Sequence, residues 1–272
     1  MKHVNSISRR EALTRITKLG LVAGALGPVA FDSLAAGKKS DFKFIVVNDT
    51  HYMSDECGVY LTGLVKQLNA EKPALVLHAG DVTDKGELAH LKAARHIFKG
   101  LDCDFHAVPG NHDWLTPTDR KPYLDTFSKQ LNYTFNHAGW QFIGLDTTEA
   151  QKFEQTTIQP ETFTALDNIL GHLKRDRPTI LFTHFPLCEN VKMRPLNGEE
   201  LLTKFKGWNL HAVFNGHYHA FTECQRDNAP ITTNRCCALK RNNHDGTKEK
   251  GYFVCDVVDG NLTRRFVEYK GV

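Results

Sequence analysis

An α/β fold with a largely parallel inner sheet is what this sequence predicts, on three observations. Short, near-continuous apolar runs recur from residue 42 onward, the mark of strands buried on both faces. Stretches with apolar residues at helical spacing lie between them. Five of the runs lead into clusters of Asp, Asn and His, as expected where ligands gather beyond the carboxyl ends of strands in open α/β sheets.

In chain order, residues 1–36 come first and read as an export signal. Ser8-Arg9-Arg10 precedes thirteen uncharged residues, Leu19 to Phe31, too short a run to span a bilayer as a helix. Gly20, Gly24 and Gly27 keep that run weakly apolar, and the small-x-small step Ser33-Leu34-Ala35 offers a cleavage site. The segment is similar to a twin-arginine signal for export of folded proteins. Ala12 and Thr14 stand where such signals more often carry Phe and Lys, which leaves the general secretory route and an uncleaved amphipathic anchor as alternatives. The expected destination is the periplasm or the outside of a bacterial cell, with no stable membrane span once the signal is removed.

Residues 37–272 read as one domain, with no repeat, low-complexity tract or linker to divide them. Phe42–Val47 runs into Asn48-Asp49-Thr50-His51. Ala74–Leu77 passes through His78 and Ala79 into Gly80-Asp81-Val82-Thr83-Asp84. Leu88, Leu91, Ala94, Ile97 and Phe98 then set a helical stripe that stops at Gly100. Phe105–Val108 leads to Pro109-Gly110-Asn111-His112-Asp113. A second helix starts at Pro160, where proline suits a first turn, and aligns Phe163, Leu166, Ile169, Leu170 and Leu173. Thr179–Phe182 ends at Thr183-His184, and Ala212–Phe214 at Asn215-Gly216-His217-Tyr218-His219. Lys240–Lys250 is polar and expected to be a mobile loop. Tyr252–Val258, a turn at Asp259-Gly260 and Leu262–Tyr269 predict an antiparallel hairpin.

Composition narrows the function classes. The 34 Lys and Arg and 31 Asp and Glu, with 41% hydrophobic residues, exclude a disordered, collagen-like or many-span membrane chain. Without residues 1–36 the two signs balance at 29 each, so the remainder lacks the broad positive field of a nucleic-acid binder, and no nucleic-acid partner is expected. All seven cysteines lie past residue 36 and none forms a C-x-x-C pair. An odd number cannot all pair within one chain, and plain buried thiols are expected at least as readily as bridges. Nothing in the sequence specifies an oligomeric state.

Asp49, His51, Asp81, Asn111, His184, His217 and His219 supply two carboxylates, four imidazoles and one amide. Nitrogen and oxygen ligands without a thiolate suit Zn, Mn, Fe or Co rather than a structural zinc site. Seven ligands exceed one tetrahedral ion but suffice for two if a carboxylate is shared, and Asp81, ending a central strand, is the natural bridge. His217 and His219, two residues apart, can serve both ions from one segment. Two divalent ions, two carboxylates and a bridging hydroxide leave a surplus of about +1, which favours an anionic substrate. A phosphate ester fits, because paired cations neutralise the oxygens that repel a nucleophile and hold the hydroxide in line with the leaving group. His112, surplus to the ligand count, is the candidate general acid for that group, with Asp84 orienting its ring.

In this order, the blocks Asp49-Thr50-His51, Gly80-Asp81-Val82-Thr83-Asp84, Gly110-Asn111-His112-Asp113, His184 and Gly216-His217-Tyr218-His219 resemble the calcineurin-like metallophosphoesterase superfamily over about residues 42–220. The resemblance implies a four-layer α/β/β/α sandwich of two mixed sheets flanked by helices. It implies two divalent or mixed-valence ions, one held by Asp49, His51, Asp81 and His219, the other by Asp81, Asn111, His184 and His217. It also implies His112 as leaving-group acid. The chain looks most like the small bacterial branch that includes class III cyclic-nucleotide and glycerophosphodiester phosphodiesterases. A small phosphodiester is therefore the expected substrate. Monoester hydrolysis on the same site is the alternative, and a non-catalytic metal-binding scaffold a further one.

Other residues have plainer expectations. His78 and His106, inside apolar runs, are expected to be hydrogen-bonded core or near-core histidines rather than ligands, and Lys85 a solvated side chain. Trp114, Tyr123 and Tyr218 suit a substrate mouth or simple packing equally well. Substrate choice is expected to lie on the loops 114–123, 189–200 and 241–250.

Overall fold

Side-chain alternation along the first strand fixes the layers. In β1 (Phe42–Val47), Phe44 and Val46 pack with one cluster of apolar residues while Ile45 and Val47 pack with another, as the two-residue period of a strand requires. The computed structural model describes residues 40–127 and 131–271. The export signal expected over residues 1–36 lies outside the described residues.

β1 is followed by α1 (Asp55–Ala70), β2 (Leu75–Ala79), α2 (Leu88–Phe98) and β3 (Asp104–Val108). A short helix α3 (Lys121–Thr126) leads to β4 (Tyr133–His137), β5 (Trp140–Leu145), α4 (Pro160–His172), β6 (Thr179–Thr183), α5 (Gly198–Thr203) and β7 (Leu210–Asn215). Two hairpins follow, β8 (Thr222–Arg226) with β9 (Ala229–Thr233), and β10 (Gly251–Val258) with β11 (Asn261–Glu268). One sheet has the order β11-β10-β1-β2-β3 and the other β4-β5-β6-β7-β9-β8. β1, β2 and β3 are parallel, as are β5, β6, β7 and β9. Antiparallel β4, β8, β10 and β11 make both sheets mixed.

Phe44, Leu77, Phe142, Phe182 and Phe214 belong to the cluster that joins the two sheets. α1 and α2 cover the outer face of the first sheet through Leu61, Leu64, Leu68, Ala94 and Phe98. α4 and α5 cover the second through Leu166, Leu201 and Leu202. The result is the four-layer sandwich. Among the described residues no helix is long and apolar enough to cross a membrane.

Three local features bear on the site. Asp259 and Gly260 turn the last hairpin with φ of 50° and 79°, the left-handed pair that a tight two-residue turn needs. Lys240–Lys250 has no regular structure but is tied down more than its composition suggests: Asn243 is buried and donates to the carbonyls of Thr247 and Glu249. Cys188 and Cys224 form a disulfide with their Cα atoms 5.8 Å apart, linking the loop after β6 to β8, and the other five cysteines are free.

Candidate metal centre

Five parallel strands point their carboxyl ends at one place. β1 delivers Asp49 and His51, β2 Asp81 and Asp84, β3 Asn111 and His112, β6 His184, and β7 His217 and His219. All seven candidate ligands are at most 6% exposed. Asp49, His51, Asp81, His217 and His219 hold φ between 43° and 67°, the left-handed region that costs a side-chain-bearing residue free energy. Main-chain bonds keep them there: Asp49 N–H donates to the Gly80 carbonyl and His51 N–H to that of Asp81, both at 3.0 Å. Two motif glycines are explained by close approach. A Cβ on Gly110 would lie 2.0 Å from Asp81 Oδ1, and one on Gly216 would lie 2.6 Å from Asp49 Oδ2.

The side chains form two adjoining sets. In the first, His51 Nε2 lies 3.2 Å from His219 Nε2 and 3.5 Å from Asp81 Oδ2, and His219 Nε2 is 3.3 Å from Asp49 Oδ1. In the second, His184 Nε2 lies 3.2 Å from both His217 Nδ1 and Asn111 Oδ1, and 3.4 Å from Asp81 Oδ1. Asp81 gives one oxygen to each set. A third grouping, His51, Asp84 and His112, adjoins the first.

The outer ring nitrogens decide what the inner ones can do. His184 Nδ1 faces the Ala79 carbonyl at 2.9 Å, His217 Nε2 that of Phe153 at 2.7 Å, and His219 Nδ1 that of Asn242 at 3.2 Å. His51 Nδ1 faces the Asp84 carboxylate at 3.3 Å. Each outer nitrogen thus meets an oxygen and must carry the proton, which turns the lone pairs of the neutral rings inward. Two pairs of such nitrogens then face each other at 3.2 Å, an arrangement that calls for a proton or a metal cation in each set. The residues therefore fit a dinuclear metal site, with outer partners of the kind that orient metal-bound histidines.

Burial and neighbouring charge decide how the same groups settle when protons take the place of cations. Burial opposes ionisation of Asp49 and Asp81, but His219 beside the first and His184 beside the second hold both below the usual carboxylate range. Burial likewise opposes charge on the imidazoles, yet Asp81 lifts His184 to about 9 and Asp49 lifts His219 to about 11. Burial, then the neighbouring His184, drops His217 to about 3.

His112 lies outside both ligand sets. Its main-chain N–H donates to Asp81 Oδ1 at 2.9 Å, and its Nδ1 is 2.8 Å from the Asp84 carbonyl. Asp84 thus meets the His112 ring through its main chain. Its carboxylate turns instead to His51 and to Arg241, whose Nε donates to Oδ1 at 2.9 Å. Arg241 stands on the 241–250 loop and carries no motif that marks it in the sequence. Asp113, the last residue of G-N-H-D, is a latch. Its carboxylate accepts from the N–H groups of Gly110, Val82 and Thr83, which locks the loop after β2 to the loop after β3.

A cavity of about 740 Å³ opens over the two sets. Trp114, Met193, Arg241 and His244 line it from the three expected loops, and Gln151 and Phe153 from a fourth that sequence did not single out. Lys85 is exposed at its rim. Tyr123 is fully buried packing, and Tyr218 is half-buried outside the cavity. His78 is a core histidine 3.0 Å from Thr50 Oγ1, and His106 stacks on Phe135.

A family model described as calcineurin-like phosphoesterase matches residues 42–221. Glycerophosphodiester phosphodiesterase GpdQ of Enterobacter lignolyticus is 27% identical over 210 residues, 69% of this chain and 74% of that protein. A "Probable cyclic nucleotide phosphodiesterase" of Vesicomyosocius okutanii is 22% identical over 236 residues, 82% of this chain and 97% of its own length. The fold is shared with a dimetal phosphatase from Danio rerio, with a TM-score of 0.64 at 14% identity over 84% of this chain and 96% of that one. Ordered sequence blocks, a two-sheet sandwich and a match across most of the chain agree: this protein is a hydrolase of phosphoester bonds and belongs to the calcineurin-like phosphoesterase family.

Proposed function

We propose that the chain is an exported phosphodiesterase that works with two divalent or mixed-valence cations drawn from Fe, Mn, Zn and Co. The position of His112 carries this reading. It lines the cavity, touches the shared ligand Asp81 through its main chain, and has one ring nitrogen committed to the Asp84 carbonyl. A scaffold has no use for an unliganded imidazole held there.

When bound, the cations would neutralise the phosphate oxygens and acidify a water for attack. The chain's own groups do the rest. Asp49, His51, Asp81 and His219, and Asp81, Asn111, His184 and His217, are the two sets that would hold the ions. The Asp84 carbonyl keeps a proton on His112 Nδ1, so a second proton at Nε2 is the one passed to the departing alkoxide. The size of the cavity, about 740 Å³, supports a diester, as do the diesterase names of both sequence relatives. Export is supported by the signal-like residues 1–36 and by the Cys188–Cys224 bridge, which suits an oxidising compartment.

His112→Ala is expected to keep its metals while turnover falls by about 10²-fold or more. Retention of turnover would remove His112 from the chemistry. With reconstituted metals, bis-p-nitrophenyl phosphate is expected to be cleaved faster than p-nitrophenyl phosphate. A preference of about tenfold for the monoester would overturn the diester assignment.

A further inference from the structure

The cavity lining is chemically mixed. Asp84, Lys85, Glu87 and Arg241 bring charge of both signs to it, whereas Trp114, Leu115, Phe153 and Met193 are apolar. Phe153 is 55% exposed and Leu115 38%, although large apolar side chains gain free energy by leaving water. Such exposure is unremarkable on a loose loop, but these residues are fastened.

The fastening runs to the metal site itself. The Phe153 carbonyl is the oxygen that meets His217 Nε2 at 2.7 Å, so the main chain under that ring is part of the ligand support. Gln151 Nε2 donates to the carbonyls of Trp114 and Leu115 at 3.0 and 3.3 Å, joining two loops into one surface. Trp114 is held at its edge and over its ring. Its indole N–H donates to Thr148 Oγ1 at 2.9 Å, and the Arg120 guanidinium, paired with buried Asp146, sits 4.7 Å from the ring centroid. Met193 reaches the cavity from a left-handed backbone with φ of 68°. A held indole, exposed Phe and Leu side chains and an adaptable thioether beside a reaction centre form a platform for a flat apolar group, which gains free energy by covering them.

We infer that this platform receives an aromatic arm of the phosphate ester, so that the substrate class is an aryl-bearing or similarly flat apolar ester rather than an ester of short hydrophilic alcohols. The inference deepens the phosphoesterase reading above and rests on it. Binding, rather than turnover, tests it separately. Phenylphosphonate and methylphosphonate are titrated calorimetrically into the metal-loaded protein. Phenylphosphonate is expected to bind about tenfold more tightly. In Phe153→Ala, which keeps the carbonyl that meets His217, that ratio should fall to about twofold or less. Met193→Ala should lower it from a different loop, and Val258→Ala, an exposed apolar residue at the end of β10, should leave it intact. Equal affinities in the wild type, binding of neither ligand, or an unchanged ratio in both cavity variants would overturn the inference. A phenyl preference in a protein that cleaves only monoesters would uphold the platform and overturn the diester assignment.

Discussion

Phe182 and Asp81 are both sealed from water, at 0% and 1% exposure, one between the sheets and the other at their rim. Around Phe182 the partners are Phe44, Phe142, Phe214 and other apolar side chains, and every contact made on sealing the region lowers the free energy of the fold. Around Asp81 they are His51, His184 and a main-chain N–H, on a backbone in the left-handed region. There, exclusion of water is a cost, offset only by a proton or a cation among the lone pairs. Equal burial therefore carries opposite meanings. The middle of the sandwich makes the fold, and the rim draws on that stability to keep charged groups where water cannot screen them.

The sharpest way to break this contrast is Asp81→Ala, which takes an oxygen from both sets at once. Turnover is expected to fall by about 10³-fold or more, with at least one cation lost on metal analysis. Activity within tenfold of wild type would mean that the two sets are independent. Phe182→Ala should do the reverse: urea unfolding should show a loss of about 3–5 kcal/mol, with both cations retained below the transition. Asp84→Ala frees His51 Nδ1 and Arg241 and is expected to weaken metal binding by about 10- to 100-fold, read by competition with a chelator. The mildest perturbation is a change of pH, applied to the metal-free protein. His184 at about 9 and His219 at about 11 are protonated at neutral pH, and each belongs to a different set. Binding must expel those protons, so affinity should rise between pH 6 and 8 by about tenfold per ion per unit. Calorimetry in buffers of different ionisation enthalpy would count about one proton per ion. No proton release would show that the cations do not displace the protons held at His184 and His219.

The strands that carry ligands are legible in the sequence because burial on both faces leaves unbroken apolar runs, as in Phe44–Val47 and Ile180–Phe182. Edge strands such as β4 and β8 alternate and are not singled out by that pattern. α1 also escapes it, although Ser54 caps it, its oxygen accepting from Cys57 N–H, and Asp55 and Glu56 sit in its first turn. The ligand set is legible because chemistry needs particular side chains at strand ends. What supports the ligands is not, because the oxygens on Ala79, Phe153 and Asn242 that meet His184, His217 and His219 are main-chain atoms that any residue supplies. The orienting oxygen for His112 is hidden for the same reason: Asp84 reads as a carboxylate, and its carbonyl makes the contact. Arg241 stands in a polar stretch with nothing to distinguish it from its neighbours until the fold brings it to Asp84.

β1, which delivers Asp49 and His51, is flanked by β2 on one side and by β10 on the other, with Phe42 opposite Val257. On the ribosome, a nascent chain that has not yet extruded residues 251–258 leaves that central strand as a bare edge, open to pairing with any neighbouring polypeptide. The strand bearing the first ligands therefore gains its second neighbour only late in translation, and premature termination should yield aggregation-prone fragments rather than a weakly active enzyme.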